Sequence, residues 1–288
     1  MMLGRKLDAD VEILCCDSVQ VYRGMDIGSG KPTKEDQGEF PHHLLDLVTP
    51  AEHFHAAAWA LKAEAAIDEV VGRGHLPIIV GGSGLYFRAL TRGFFEAPPP
   101  DWDLRAQHKQ YADEHGTRML HGRLVKVDPD AAATIHQTDL VRISRALEIF
   151  EQTKQPISEL RKRVSPVKPV DYFSIILDPP LSELRPRIDT RVNQMIEAGL
   201  ADEVKRLCGK GYDKARAFRG AIGYYLMMMV QEGSLGPEAA LETMKKQTVQ
   251  YAKRQKTWFQ KDTPRLRLAG PPDLGALIPA IDEWRRGP

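Results

Sequence analysis

Val11-Glu12-Ile13-Leu14-Cys15-Cys16 runs straight into Asp17-Ser18-Val19-Gln20-Val21-Tyr22-Arg23-Gly24-Met25-Asp26-Ile27-Gly28-Ser29-Gly30-Lys31-Pro32. The first six residues read as a mostly apolar, buried strand. Such a strand carries Asp17 to its C-terminal end, where open α/β sheets place their chemistry. A hydroxyl, an amide, a phenol, a second acid and a Gly-rich turn follow Asp17, more polar groups than a core segment needs. Upstream, residues 1–8 offer only Met1, Met2, Leu3 and Leu7, the tail of an amphipathic helix.

Further along, residues 17–55 read as mostly loop. Phe54 to Gly72 has apolar residues at helical spacing and ends at a glycine. Leu76 to Val80 is a short buried strand, Gly81-Gly82-Ser83-Gly84 follows at once, and a helix begins near Leu85. Strand, Gly-turn and helix in that order mark an α/β fold. The composition shifts at Pro98-Pro99-Pro100. Residues 97–136 are expected to form a helical insertion, with 1–96 and 137–288 as the α/β core and its helical C-terminal part. Residues 139–153 form an amphipathic helix, 154–169 a basic loop and 172–177 a strand. Helices are expected over 183–199, 201–209, 221–232 and 237–261.

The chain has 288 residues, with 42% apolar and 27% charged residues and a net charge of +1. That is enough for one large domain or two smaller ones. The balance excludes a uniformly basic coat and leaves room for a local basic patch. Three cysteines without a CxxC pair read as buried thiols in a reducing compartment. The longest apolar run, Tyr224 to Val230, is far below the roughly 20 residues of a membrane span. No signal peptide is visible, so the cytoplasm is expected. His42, His43, His53 and His55 lack metal-ligand spacing and read as loop or core residues.

Gly28-Ser29-Gly30-Lys31 fails as a phosphate loop. Met25 stands where the pattern needs glycine, and Pro32 stands where it needs Ser or Thr. Gly81 to Gly84 is either an anion site at a helix start or a tight turn. Asp17 is either a general base or a turn-stabilising acid. Arg142, Arg145 and Glu148 share one helix face, which suits a solvated ion-pair stripe. Residues 245–267 carry Lys245, Lys246, Lys253, Arg254, Lys256, Lys261, Arg265 and Arg267, with Tyr251, Trp258 and Phe259 among them. That pattern fits either a nucleic-acid backbone with stacked bases or a surface helix packing its aromatics inwards.

Read together, these segments resemble the tRNA dimethylallyltransferases. The motifs occur in order: Asp17 to Tyr22, Met25 to Gly28 with Lys31-Pro32, His43 to Asp46, Val80 to Tyr86, Ser144 to Glu148, Arg187-Ile188 with Arg191-Val192, Ala221 to Tyr224, and Tyr251 to Gln255 with Thr257-Trp258. The resemblance covers residues 11 to about 268. It implies a nucleotide-binding, P-loop-kinase-like parallel sheet with an inserted helical module, probing tRNA as a monomer with no membrane partner. The implied reaction moves a dimethylallyl group from dimethylallyl diphosphate to N6 of the adenosine 3′ of the anticodon. It makes Asp17 the general base and Arg191 a diphosphate contact, and it sets Gly81, Gly82, Ser83 and Gly84 beside the diphosphate. It assigns Asp17, Ser18, Val19, Gln20, Val141, Arg142, Ile143, Ser144 and Arg145 to the tRNA, and Lys253 and Arg254 to the anticodon stem. Mg2+ is implied, with its protein ligands unknown. A free-adenylate prenyltransferase and a tRNA-binding remnant without turnover are the alternatives.

The family begins with a strand and a true Walker A loop, and this chain starts inside the helix that follows them. Such a start is expected to leave two neighbouring strands without a shared ladder and the chain poorly active. It is read as a late start codon or a truncation. Smaller departures are Val249 in place of an arginine, Tyr225 in place of a lysine or arginine, and Lys154 in place of a glycine. A left-handed cap kept at Lys154 costs about 1 kcal/mol.

Overall fold

In a computed structural model the described residues are 3–7, 9–163, 168, 170–270 and 273–287. Met1, Met2 and, within the expected basic loop, residues 164–167 and 169 lie outside them. The elements run β1 (Val11–Cys15), α1 (Lys34–Glu39), β2 (His42–His43), α2 (Ala56–Gly72), β3 (Leu76–Val80) and α3 (Gly84–Arg92). Next come α4 (Trp102–His115), α5 (Thr117–Val127), α6 (Pro129–Thr134), α7 (Leu140–Thr153) and α8 (Ile157–Leu160). The chain closes with β4 (Ile175–Leu177), α9 (Leu181–Glu197), α10 (Leu200–Gly209), α11 (Arg216–Gly220), α12 (Tyr224–Gln231), α13 (Pro237–Phe259), β5 (Leu266–Leu268) and α14 (Leu274–Arg286).

The chain divides into two compact units, one of residues 1–90 with 169–288 and one of residues 91–168. In the first, β1 lies between β2 and β3, all parallel. Every residue of β1 is buried, as a central strand requires. Pro77 sits in β3, an outer strand of this sheet, where a missing N–H is tolerated. β4 and β5 form a second parallel pair, and among the described residues β3 and β4 share no ladder. The apolar stripe of α14 sets Leu277 and Ile281 against Leu7 and Val11, with Phe40, Leu76 and Phe173 around them.

The second unit is wider than the insertion expected over 97–136, because α7 belongs to it and not to the α/β core. Its Ile143, Ala146, Leu147 and Ile149 pack with Leu120 and Leu124 of α5. A fully buried Glu148 ties the unit together. It accepts from the Asp101 N–H at 2.5 Å, from Arg105 at 3.0 and 2.8 Å and from Arg145 at 2.7 Å. Burial pushes this carboxyl up, but the two arginines more than offset it and hold it below its ordinary value. Lys154 ends α7 in the left-handed conformation at φ 57°, the cap expected at that position.

Glu12 is the one acid in the otherwise apolar β1, and it is buried. Arg73 donates to it at 2.9 and 2.8 Å, His43 Nε2 lies 2.5 Å from Oε2, and His75 Nδ1 lies 2.7 Å from Oε1. These groups come from β2 and from the α2–β3 connection, so one carboxylate joins the centre of the sheet to both neighbours. The Arg73 bonds lead in holding its carboxyl at about 2, below the usual 4.5. A depressed carboxyl adds stability above its unfolded value that is lost as pH falls through the folded one. Glu12→Gln is expected to lower unfolding free energy by about 3 kcal/mol near neutral pH. Denaturant titrations should show this gap narrowing as pH falls from 4.5 towards 2.

Candidate active site

Asp17 stands one residue beyond the Cys16 that follows β1, and its side chain is half-buried. Its Oδ1 accepts from the Val19 N–H at 2.7 Å and the Gln20 N–H at 3.2 Å. Among the described residues its other oxygen has no hydrogen-bond partner. One oxygen of Asp17 therefore fixes the turn, which is the turn-stabilising reading.

The segment that follows folds back on Asp17 through polar contacts. Gln20 donates its side-chain N–H to the carbonyls of Ser29 and Gly30 at 3.3 and 3.1 Å. The Lys31 ammonium is buried, and it donates to Tyr22 O at 2.9 Å, to Asp26 at 2.6 Å and to Asp46 at 2.7 Å. Lys31 is thus a loop staple, in keeping with a segment that fails as a phosphate loop. Gly30 takes φ +61°, and a Cβ there would lie 2.0 Å from a guanidinium nitrogen of Arg191. The Arg191 side chain of α9 accordingly lies on this turn. It is exposed and has no ion-pair partner among the described residues.

The Gly81–Gly84 turn meets Asp17 from the other side. A Cβ on Gly81 would lie 2.1 Å from the Cys16 carbonyl oxygen. Ser83 Oγ accepts from the Ser18 N–H at 2.9 Å. The Ser83 and Gly84 amides donate to Cys16 O and Gly82 O at 3.2 and 3.1 Å. Those two amides are already bonded within the turn, which takes them out of the anion cradle read for residues 81–84.

Tyr251, Gln255 and Trp258 of α13 share one helix face, as spacings of four and three require. Gln255 donates to Gly82 O at 3.1 Å, and the Trp258 indole nitrogen lies 2.2 Å from where a Gly84 Cβ would be. These aromatics pack inwards on the turn, while Lys253 lies off that face and the Arg254 guanidinium lies 5.7 Å from the Tyr251 ring centroid. Burial, then the Asp17 charge, push the Tyr251 phenol up, against the lowering bonds to Gln255 and Ser83. Cys15 and Cys16 are pushed up to about 12, by burial first and the Asp17 carboxylate second. They stay protonated thiols and do not compete with Asp17 as bases.

α7 is described within its own unit. Val141 is 76% exposed, and Arg142 is exposed beside Asp139 at 3.3 Å. Ile143 and Ser144 are buried, with Ser144 Oγ 3.0 Å from His108 Nδ1. Arg145 binds Glu148 and the Pro98 carbonyl. Of the five α7 residues assigned to tRNA, only Val141 and Arg142 present their side chains outward. The helix period turns Ile143 and Ser144 into the core.

Among the described residues no three His, Cys, Asp or Glu side chains converge on a point that could hold a metal ion. Among the described residues, side chains alone therefore do not build a cage for the implied Mg2+.

Sequence reasoning did not assign roles to Glu203 and Tyr224. Glu203 of α10 is buried and accepts from the Asp26, Ile27 and Gly28 amides, and the Tyr224 hydroxyl donates to it at 2.7 Å. The available signal is an acid set within the apolar stripe Leu200, Val204, Leu207.

Asp17 and the Gly81–Gly84 turn thus meet at the C-terminal edge of a parallel sheet in an α/β fold. Comparison with known proteins gives the family. Residues 20–262 match the model for "IPP transferase". The chain is 42% identical over 283 residues to a tRNA dimethylallyltransferase of Anaeromyxobacter sp., covering 98% of this chain and 92% of that protein. A tRNA dimethylallyltransferase of Pseudothermotoga lettingae is 44% identical over 257 residues, 89% and 80% of the two chains. Among solved structures, the tRNA isopentenylpyrophosphate transferase of Bacillus halodurans is similar with a TM-score of 0.66 and 36% identity, covering 99% of this chain and 90% of that one. The chain belongs to the IPP transferase family.

The close approach at Gly81 has a measurable consequence. Gly81→Ala must move backbone at the tip of β1, because the atoms it meets belong to the Cys16 main chain. It is expected to cost about 2–3 kcal/mol of unfolding free energy. Gly38→Ala meets nothing within 4 Å and should be neutral or stabilising in the same denaturant titration.

Proposed function

We propose that this chain transfers a dimethylallyl group from dimethylallyl diphosphate to N6 of the adenosine 3′ of the anticodon in tRNA, with Asp17 as the general base. The observation that carries this is the divided Asp17 carboxylate, one oxygen anchored on two amides and the other unpartnered. A neutral exocyclic amine is a poor nucleophile until its proton has somewhere to go. In the step proposed, the N6 lone pair forms a bond to C1 of the dimethylallyl group. The C1–O bond breaks, and its electron pair leaves with the diphosphate. The N6 proton moves to the unpartnered oxygen of Asp17.

The leaving diphosphate gathers negative charge, which cations and amide donors at its position stabilise. Arg191, which lies on Gly30 without an ion-pair partner among the described residues, and the Gly81 and Gly82 amides take that role. Gln20 already holds Ser29 and Gly30, so it meets the substrate from a fixed position. An adenine stacked in an anticodon loop must be turned out to reach the donor. Lys253 and Arg254, the exposed stretch at Ser18, and Val141 with Arg142 are the parts of this chain suited to RNA. Three unpaired thiols fit a reducing, cytoplasmic setting for a protein acting as a monomer.

Asp17→Asn keeps an oxygen for the Val19 and Gln20 amides and removes the base. It should lower turnover on an anticodon stem-loop by about 10²–10⁴-fold with stem-loop binding retained. Near-normal turnover would refute the assignment. Lys253→Ala should weaken stem-loop binding and reduce the slope of log affinity against log salt by about 1. An unchanged slope would remove Lys253 from the RNA contact.

A further inference from the structure

The Asp26–Gly30 turn has two sides, and both are occupied. On one side Glu203 Oε1 accepts from the amides of Asp26 at 3.2 Å, Ile27 at 3.1 Å and Gly28 at 3.4 Å, and Oε2 accepts from Ile27 at 3.0 Å. The Tyr224 hydroxyl donates to the same Oε1 at 2.7 Å. The Tyr224 ring fills the space beside Gly28, where a Cβ would lie 2.5 Å from it. On the other side the Ser29 and Gly30 carbonyls take the Gln20 amide, and the Arg191 guanidinium lies on Gly30. We infer that Glu203 and Tyr224 are positioning residues, which set the Arg191 guanidinium by holding the turn it lies on. This rests on the transfer reaction proposed above.

Arg191 has no ion pair among the described residues to fix it, so the turn it lies on decides where its charge sits. A guanidinium that must meet a diphosphate loses its advantage when its support shifts. The clamp suits that need. Bonds from amides to a carboxylate are charge-assisted, and Glu203 gathers three amides at 3.0–3.4 Å. A buried carboxylate is tolerable only when its lone pairs are filled, and here three amides and a phenol fill them. Among the described residues the cation paired with it is Arg206, 3.9 Å away and half-exposed, so the acceptor set serves backbone amides. Burial, then the Glu203 charge, push the Tyr224 phenol up, so it remains a donor. Had a space-filling role been enough, an apolar residue in the Leu200, Val204, Leu207 stripe would have served.

The test uses Glu203→Gln and Tyr224→Phe in the full chain, each alone and combined with Arg191→Lys. Dimethylallyl diphosphate and an anticodon stem-loop are the substrates. Tyr224→Phe keeps the ring against Gly28 and so keeps the test valid if Glu203→Gln fails to fold. Glu203→Gln should lower kcat roughly tenfold to a hundredfold, with Tyr224→Phe less affected and the stem-loop KM changed less than about twofold. In the Arg191→Lys background each should cost less than about twofold more, because the clamp acts through Arg191. Equal costs in both backgrounds would show a general structural role and overturn the inference, as would unchanged kcat in both single variants. Hydrogen exchange at the Asp26–Gly28 amides should quicken in both variants, and unchanged exchange would likewise overturn it. Exchange reads the clamp without turnover, so the clamp and the transfer reading fail separately.

Discussion

Only a glycine fits where β3 leaves the sheet, because the Cys16 carbonyl occupies the place of a side chain at residue 81. That close approach joins the two parallel strands at their C-terminal ends. It brings the residue after Cys16, which is Asp17, beside the turn that opens α3. Ser83 completes the junction by accepting from the Ser18 amide. The site therefore does not depend on a flexible loop finding its place. It is fixed by main-chain geometry at the end of a fully buried strand, with polar contacts added outside it.

Charge is divided accordingly. Four carboxylates fill structural roles at depth: Glu12 between strands, Asp128 and Glu148 in the helical unit and Glu203 under the 26–30 turn. Each is saturated by donors, which a buried charge requires. Lys31 is their counterpart among cations, enclosed by two acids and a carbonyl. Asp17 and Arg191 differ in keeping unfilled capacity, and each is partly or fully exposed. In the transfer proposed above, that unfilled capacity would serve the reacting amine and the departing diphosphate. The thiols and phenols nearest Asp17 are held in their neutral forms by burial and by its charge.

Much of this was legible in the sequence. Val11–Cys15 and Leu76–Val80 stood out as apolar runs ending at polar turns, and both are strands of one parallel sheet. The 3.6-residue period gave α2, α7 and α13 to within a few residues. Two-residue β2, three-residue β5 and the helix α14 escaped, since runs that short carry no period and Pro279 interrupts the α14 pattern. The insertion was drawn too narrow because α7 has an apolar face that could pack on either unit, and periodicity does not say which. Asp17 was visible by its place at a strand tip, although its divided carboxylate depends on where two amides point. Glu203 and Glu12 read as ordinary charges on a helix and in a strand, because their partners are distant in sequence. Ile143 and Ser144 were assigned to RNA with their neighbours, and the helix period, applied residue by residue, places them inside.

The most direct test of the Asp17 assignment is geometric. A crystal structure of this chain with an anticodon stem-loop and an unreactive dimethylallyl diphosphate analogue would show where the target amine lies. N6 is expected within about 3 Å of the Asp17 oxygen not bonded to Val19 and Gln20, with those two amide bonds intact. An N6 lying against another group, with that oxygen facing solvent, would contradict it.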